Sequence, residues 1–304
     1  MIPKSAPRFP ACAKLLQGLT VWLDASAGEG RSDRIMLQMK ERPMPRLAAN
    51  FGYLFTERPL IERFAAAAAA GFKAVEQQFP YDVPPSAVKA ELAKHGLTPL
   101  GINTPPGRPG EFGLAAVPGR EQDFAALFKQ ALDYVAAIGG TAVHCLAGHV
   151  PPEQRPAAEK VYVSNLTLAA DLAREKDIGI LIEPINQRDR PNTYLSRVEH
   201  AAEVIAKVDR PNIKIQYDFY HVQITQGDVI RRFEAHHKLI GHVQIAAVPS
   251  RHEPDQGELN FPVIFEALDG LGYTGWIACE YRPRGRTEDG LGWGRAYGLT
   301  MGRR

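Results

Sequence analysis

No run of about 18 consecutive apolar residues occurs in these 304 residues, so no stretch reads as a membrane-spanning helix. Cysteine is scarce. Cys12, Cys145 and Cys279 cannot form a disulfide framework, and an odd count fits a reducing compartment, read here as the cytoplasm. A strong excess of either charge is missing too, with 36 Lys and Arg against 34 Asp and Glu. The imbalance that exists sits at one end, since residues 1–43 hold seven basic and four acidic side chains. Residues 44–304 are left with 29 basic and 30 acidic groups, which argues against a surface built to grip phosphate backbones. The composition is otherwise that of a folded globular chain: 45% hydrophobic, 23% charged, 27 Gly and 24 Pro.

Residues 1–43 lack sustained periodicity, although Leu15, Leu16, Leu19 and Trp22 could line one short helical face. Lys14 and Asp24 flank the only apolar stretch, which speaks against a signal peptide, and four acids speak against a transit peptide. The segment is expected to be a disordered extension or a misassigned start, with Met44 as the natural first residue. Residues 44–304 would then form one domain, close to the ~250 residues of a typical (β/α)8 barrel.

From residue 46 onward one pattern repeats. Strands are expected at 46–51, 72–79, 98–103, 141–147, 178–185, 213–220, 240–247 and 275–281. Helical stretches lie between them, such as ERPLIERFAAAAAAG with its alanine run and closing Gly71. GREQDFAALFKQALDYVAAIGG has the same design. Strands alternating with helices must run parallel, and eight such units predict an α/β fold, the closed (β/α)8 TIM barrel. A doubly wound open sheet would lead one to expect a glycine-rich phosphate fingerprint after the first strand, and none is present.

In a barrel of this kind chemistry sits where the strands end. Strand five ends in Glu183-Pro184-Ile185-Asn186, and strand six in Asp218, followed by Phe219, Tyr220 and His221. Strand seven carries His242 and Gln244, and strand eight ends in Glu280. Alternation in IKIQYD puts Ile213, Ile215 and Tyr217 on the helix-facing side and Lys214, Gln216 and Asp218 inside. Any one of these polar groups alone is an ordinary solvated strand-end side chain. Oxygen-bearing groups at equivalent depth on consecutive strands instead suit a hard divalent cation, Mg²⁺ or Mn²⁺. Glu76 and Asn103, at the ends of strands two and three, are weaker candidates. His144 and Cys145 are adjacent, point to opposite faces and cannot converge on one atom, and Cys279 should face the helices for the same reason. His236 and His237 are expected at the surface.

At these residues the chain resembles the hydroxypyruvate isomerase family of the xylose-isomerase-like barrels. MPRLAANFGYLF, FKAVEQQFPYD, VPGRE, LIEPIN, KIQYDFYH, HVQIA, PSRHEPDQGELN and GWIACEY carry the resemblance over most of 44–297. It implies a divalent metal held by Glu183, Asp218, Gln244 and Glu280, with Glu183 and Glu280 as the acid/base pair. By similarity to ketose epimerases it implies that His221 and Arg251 contact substrate oxygens. The implied reaction converts hydroxypyruvate to 2-hydroxy-3-oxopropanoate through an enediolate, and 2-oxo-tetronate isomerisation is the same chemistry on a longer acid.

Two departures lie at the mouth. The loop TPPGRPGEFGLAAVPGRE is short and lacks an Asp-Trp pair found in many relatives, and EQQFPYD replaces a commoner apolar residue after the glutamate. Both bear on the substrate. The superfamily's abasic-site endonucleases use a three-metal cluster with several histidines on strands two, three and seven. Strands two and three have none here, and Gln244 stands on strand seven. A ketose 3-epimerase typically has histidine at that same position. A non-catalytic sugar-acid binder would lack the carboxylates. The expected partner is a small-molecule substrate, with neither nucleic acid nor membrane, and self-association into a homo-oligomer is left open.

Overall fold

Eight parallel strands close on themselves in chain order, each hydrogen-bonded to the next and the last to the first. They are β1 (Arg46–Asn50), β2 (Ala74–Gln77), β3 (Thr98–Asn103), β4 (Ala142–His144), β5 (Gly179–Ile182), β6 (Ile213–Asp218), β7 (Ile240–Ile245) and β8 (Trp276–Cys279). The computed structural model describes residues 45–301, so the expectations for residues 1–43 lie outside the described residues. Helices α1 (Leu60–Ala69), α2 (Pro85–His95), α3 (Glu121–Ile138), α4 (Arg155–Arg174) and α5 (Val198–Val208) alternate with the strands. Helices α6 (Phe219–Thr225) and α7 (Val229–His236) follow β6, and α8 (Phe261–Gly270) precedes β8.

Glycines end α1 and α3. The alanine run of α1 ends where Gly71 takes φ +93°, and a Cβ there would lie 2.5 Å from the Gly298 carbonyl oxygen. Gly139 ends α3 in the left-handed conformation. In α5 the buried residues Val198, Ala201, Val204, Ile205 and Val208 recur at helical spacing and form one apolar stripe.

Alternation along the strands divides the interior in two. Leu47, Ala49, Val75, Ile213, Ile215, Tyr217, Val243, Ile245, Ile277 and Cys279 point outward into the shell between strands and helices. Cys145 joins that shell, while His144 turns inward toward Asn103. Inside the barrel the lowest layer is small, made of Ala48, Ala74, Leu100 and Ala278. A cavity of about 240 Å³ runs beside this layer, from Thr141, Gly179, Gly241 and Trp276 at the N-terminal ends of the strands up to Asn50, Glu76 and Gln244. Branched apolar side chains ordinarily fill this level of a barrel.

The strand cores fall where the hydrophobic pattern puts them, but the mouth ends come earlier. The expected run 213–220 stops at Asp218, whose carboxylate accepts the Tyr220 N–H at 2.9 Å and starts α6. The expected runs 178–185 and 275–281 likewise leave the ladder after Ile182 and Cys279. Glu183 and Glu280 therefore each stand one residue beyond a strand.

Candidate active site

The C-terminal mouth gathers the acids. Glu183, Asp218, His221 and Glu280 are all buried, and each offers a ligand atom within 4.8 Å of the others. Gln244 is the direct ladder partner of Asp218, so its amide belongs to the same floor. Arg251 follows β7 with a left-handed backbone, φ +57°, and its guanidinium donates to Glu280 Oε2 at 2.6 Å. It also lies 3.8 Å from Asp218 Oδ2. Tyr53 and Tyr220 cover the guanidinium with ring centroids at 4.8 and 4.7 Å. All six residues expected at the site are thus buried at the mouth of β5–β8.

Three oxygens in this group have no hydrogen-bond partner: Glu183 Oε1, Asp218 Oδ2 and Gln244 Oε1. Unpaired buried oxygens are costly, and carboxylates gathered this closely repel one another. Burial, reinforced by Glu280 and Asp218, pushes the Glu183 carboxyl well above its ordinary range. Burial and Glu280 push Asp218 up to about 8, against the pull of Arg251. Glu280 is also raised by burial, with Arg251 opposing. A hard divalent cation would satisfy the bare oxygens of Glu183 and Asp218 at once, and the clustered donor set fits one.

His221 meets donors at both ring nitrogens, with Arg251 Nη2 3.4 Å from its Nε2. Asn186 Oδ1 accepts the backbone N–H of Asp189 at 2.8 Å, which leaves Asn186 Nδ2 facing His221 Nδ1 at 2.6 Å. Burial, then Arg251, holds the imidazole well below its ordinary pKa. Its Nε2 lies 3.6 Å from Asp218 Oδ2 and 3.8 Å from Glu183 Oε1.

Beneath the acids lies a layer that the strand-end rule only touched. Gln216 Nε2 donates to Glu183 Oε2 at 3.0 Å. Asn50 Nδ2 and Gln78 Nε2 donate to Glu280 Oε1 at 3.2 and 2.6 Å. Glu76 accepts from Asn50, His242 and Gln244 at 2.5, 2.6 and 2.7 Å. Burial raises the Glu76 carboxyl, but His242 and these hydrogen bonds outweigh it and hold Glu76 below its ordinary value. The Asn103 side chain meets His144 at 3.2 Å, and burial depresses that histidine to about 3. His237 is exposed and His236 half-buried. Asn50 and Gln78 had a detectable signal, since both stand at strand ends.

Residues 64–297 match the xylose isomerase-like TIM barrel family. The 2-oxo-tetronate isomerase of Cupriavidus necator is 47% identical over 257 residues, 84% of this chain and 99% of that protein. The hydroxypyruvate isomerase of Escherichia coli is 39% identical over 255 residues, 82% of this chain and 98% of that protein. A solved structure from Brucella melitensis, described as an AP endonuclease of family 2, has a TM-score of 0.82 at 44% identity. It covers 84% of this chain and 99% of its own.

Proposed function

This chain belongs to the xylose isomerase-like TIM barrel family, and on that premise we propose that it isomerises a short 2-oxo acid bearing a hydroxyl on C3. The observation that carries this reading is the convergence of Glu183, Asp218 and Glu280 beside Gln244, with three oxygens left bare. Glu183, Asp218, Gln244 and Glu280 would hold Mg²⁺ or Mn²⁺. When bound, the cation supplies stabilisation for the negative charge that develops on two neighbouring substrate oxygens.

The remaining work falls to side chains. Glu183 and Glu280 take a proton from C3 and return one to C2, while the hydroxyl proton passes from the C3 oxygen to the C2 oxygen. The carbonyl has then moved by one carbon with no net gain or loss of atoms. His221 contacts a substrate oxygen. Arg251, whose planar fork matches a carboxylate, binds the acid end of the substrate, and its bond to Glu280 ties that end to the acid/base pair. Tyr53 and Tyr220 hold the guanidinium in place and restrict water.

Hydroxypyruvate, giving 2-hydroxy-3-oxopropanoate, is the three-carbon form of this reaction. The four-carbon form, 2-oxo-tetronate to 3-oxo-tetronate, is the second reading, favoured by the 47% identity to the Cupriavidus protein. A ketose 3-epimerase ranks behind both, because Gln244 stands where histidine is expected. Abasic-site endonuclease activity has least support: strands β2 and β3 hold no histidine, and residues 44–304 carry no basic excess. We place the enzyme in the cytoplasm, acting on a free small acid, with residues 44–304 sufficient for activity. Among the described residues no helix is long and apolar enough to cross a membrane.

The test is turnover of hydroxypyruvate, 2-oxo-tetronate and free ketoses, each with Mg²⁺, Mn²⁺ or EDTA. Activity on one of the acids, lost in EDTA and restored by metal, is expected. Equal activity in EDTA, or turnover of ketoses alone, overturns the proposal.

A further inference from the structure

A glutamine ligand poses a problem that a carboxylate does not. Its amide has an oxygen at one end and an NH₂ at the other, nearly alike in shape and opposite in function. Turned one way, Gln244 offers a cation its Oε1. Turned the other way, it donates to the bare oxygens of Glu183 or Asp218 and competes with a cation for them.

The floor of the barrel decides between the two. The chain of orientation begins at a backbone group whose polarity cannot be reversed: the Gly52 N–H donates to Asn50 Oδ1 at 2.8 Å. That bond turns Asn50 Nδ2 toward Glu76 Oε1, at 2.5 Å. His242 Nε2 holds the other carboxylate oxygen at 2.6 Å, so Glu76 cannot swing away. Glu76 Oε1 then faces Gln244 Nε2 at 2.7 Å and leaves Gln244 Oε1 buried without a partner. Glu76 is 6% exposed and lies on β2, outside the β5–β8 set of acids.

We propose that Glu76 is a positioning residue that fixes the Gln244 amide with its oxygen toward the cation site. The inference rests on the proposed cation site. Partners of this kind behind a metal ligand typically contribute 10–100-fold in affinity. What matters is an acceptor oxygen at position 76, more than its charge.

Two variants separate those contributions. Glu76→Met removes the acceptor at similar length. Glu76→Gln removes the charge but keeps one acceptor oxygen, which Asn50 Nδ2 holds toward Gln244, while its amide N–H can face His242. Mn²⁺ binding is read directly from the electron paramagnetic resonance signal of free Mn²⁺ during titration, independent of turnover. Circular dichroism in EDTA checks the fold. Glu76→Met should bind Mn²⁺ about 10–100-fold more weakly than wild type, and Glu76→Gln should recover most of that loss. Equal weakening in both variants assigns the effect to charge and overturns the proposal, as does wild-type affinity in Glu76→Met. Wild-type protein that binds no Mn²⁺ fails the cation reading itself, a separate result. One check needs no variant: in crystals with Mn²⁺, Gln244 Oε1 should face the ion and Nε2 remain hydrogen-bonded to Glu76. Finding that pair apart overturns the proposal.

Discussion

The two halves of the barrel differ in the charge they bring to the mouth. Strands β5–β8 deliver Glu183, Asp218 and Glu280 to one point, with the Arg251 guanidinium bonded to one of them. Strands β1–β4 and the loops after them bring mainly neutral groups: Asn50, Gln78, Asn103 and a histidine held uncharged. Glu76, the one acid of this half at the site, is saturated by donors, whereas Glu183 and Asp218 each keep a bare oxygen. Glu280 is thus held by donors from the β1–β2 side of the ring, whereas Glu183 is held by Gln216 of its own half. Closure of the barrel joins the two halves.

The sharpest way to break this comparison is to neutralise the charged half. Glu183→Gln and Glu280→Gln keep a side-chain oxygen and nearly the same volume, but an amide cannot take up a proton at neutral pH. Each should lose roughly 10²–10⁴-fold in turnover, and excess Mn²⁺ should not restore it. Asp218→Asn weakens a ligand without removing a base, so high Mn²⁺ should recover much of its activity. Equal metal rescue in all three would reduce the two glutamates to ligands.

Disturbing the neutral half should cost less. Gln78→Met removes a donor at 2.6 Å from Glu280 Oε1 and should lower turnover about tenfold while leaving Mn²⁺ affinity within a similar factor. A loss as large as that of Glu280→Gln would make Gln78 part of the chemistry itself.

The charged half should also be visible in stability without turnover. In EDTA, folded Asp218 keeps its proton up to about pH 8, whereas its ordinary value is 3.8. Between those values the folded state binds more protons than the unfolded one, so stability falls as pH rises. A cation displaces the proton, and the Tm difference between Mn²⁺ and EDTA should widen across the same window. A difference that narrows with pH would contradict the raised carboxyls. The smallest effect is expected from deleting residues 1–43, which should leave kcat/KM and Tm at their full-length values. A loss of either would mean that the segment contributes to the enzyme.

Much of the charged half was legible in the sequence, because each of its acids closes a short β-rich run and simple alternation predicts which side chains turn inward. Gln216 could be assigned to the interior from its spacing to Asp218 alone. The neutral half was harder to read. Asn50 donates to Glu280 across 230 residues, a contact that exists only because β8 returns beside β1, and no local pattern encodes that closure. Strand ends were also overread at the mouth, where hydrophobicity continues after side-chain hydrogen bonds such as Asp218 to Tyr220 have replaced the ladder. Arg251 depends on a left-handed turn in a charged loop, a conformation its own sequence does not announce.

Closure also bears on how this molecule comes apart. A closed sheet has no free edge from which to fray, so its strands should separate in one cooperative event. Two natural reporters sit on opposite sides of the ring, Cys145 just after β4 and Cys279 at the end of β8, both free, fully buried and with their thiols pushed up by burial. Neither can react with an alkylating reagent until its wall of the barrel opens. The two labelling rates, measured side by side in dilute denaturant, therefore time the opening at opposite points of one ring.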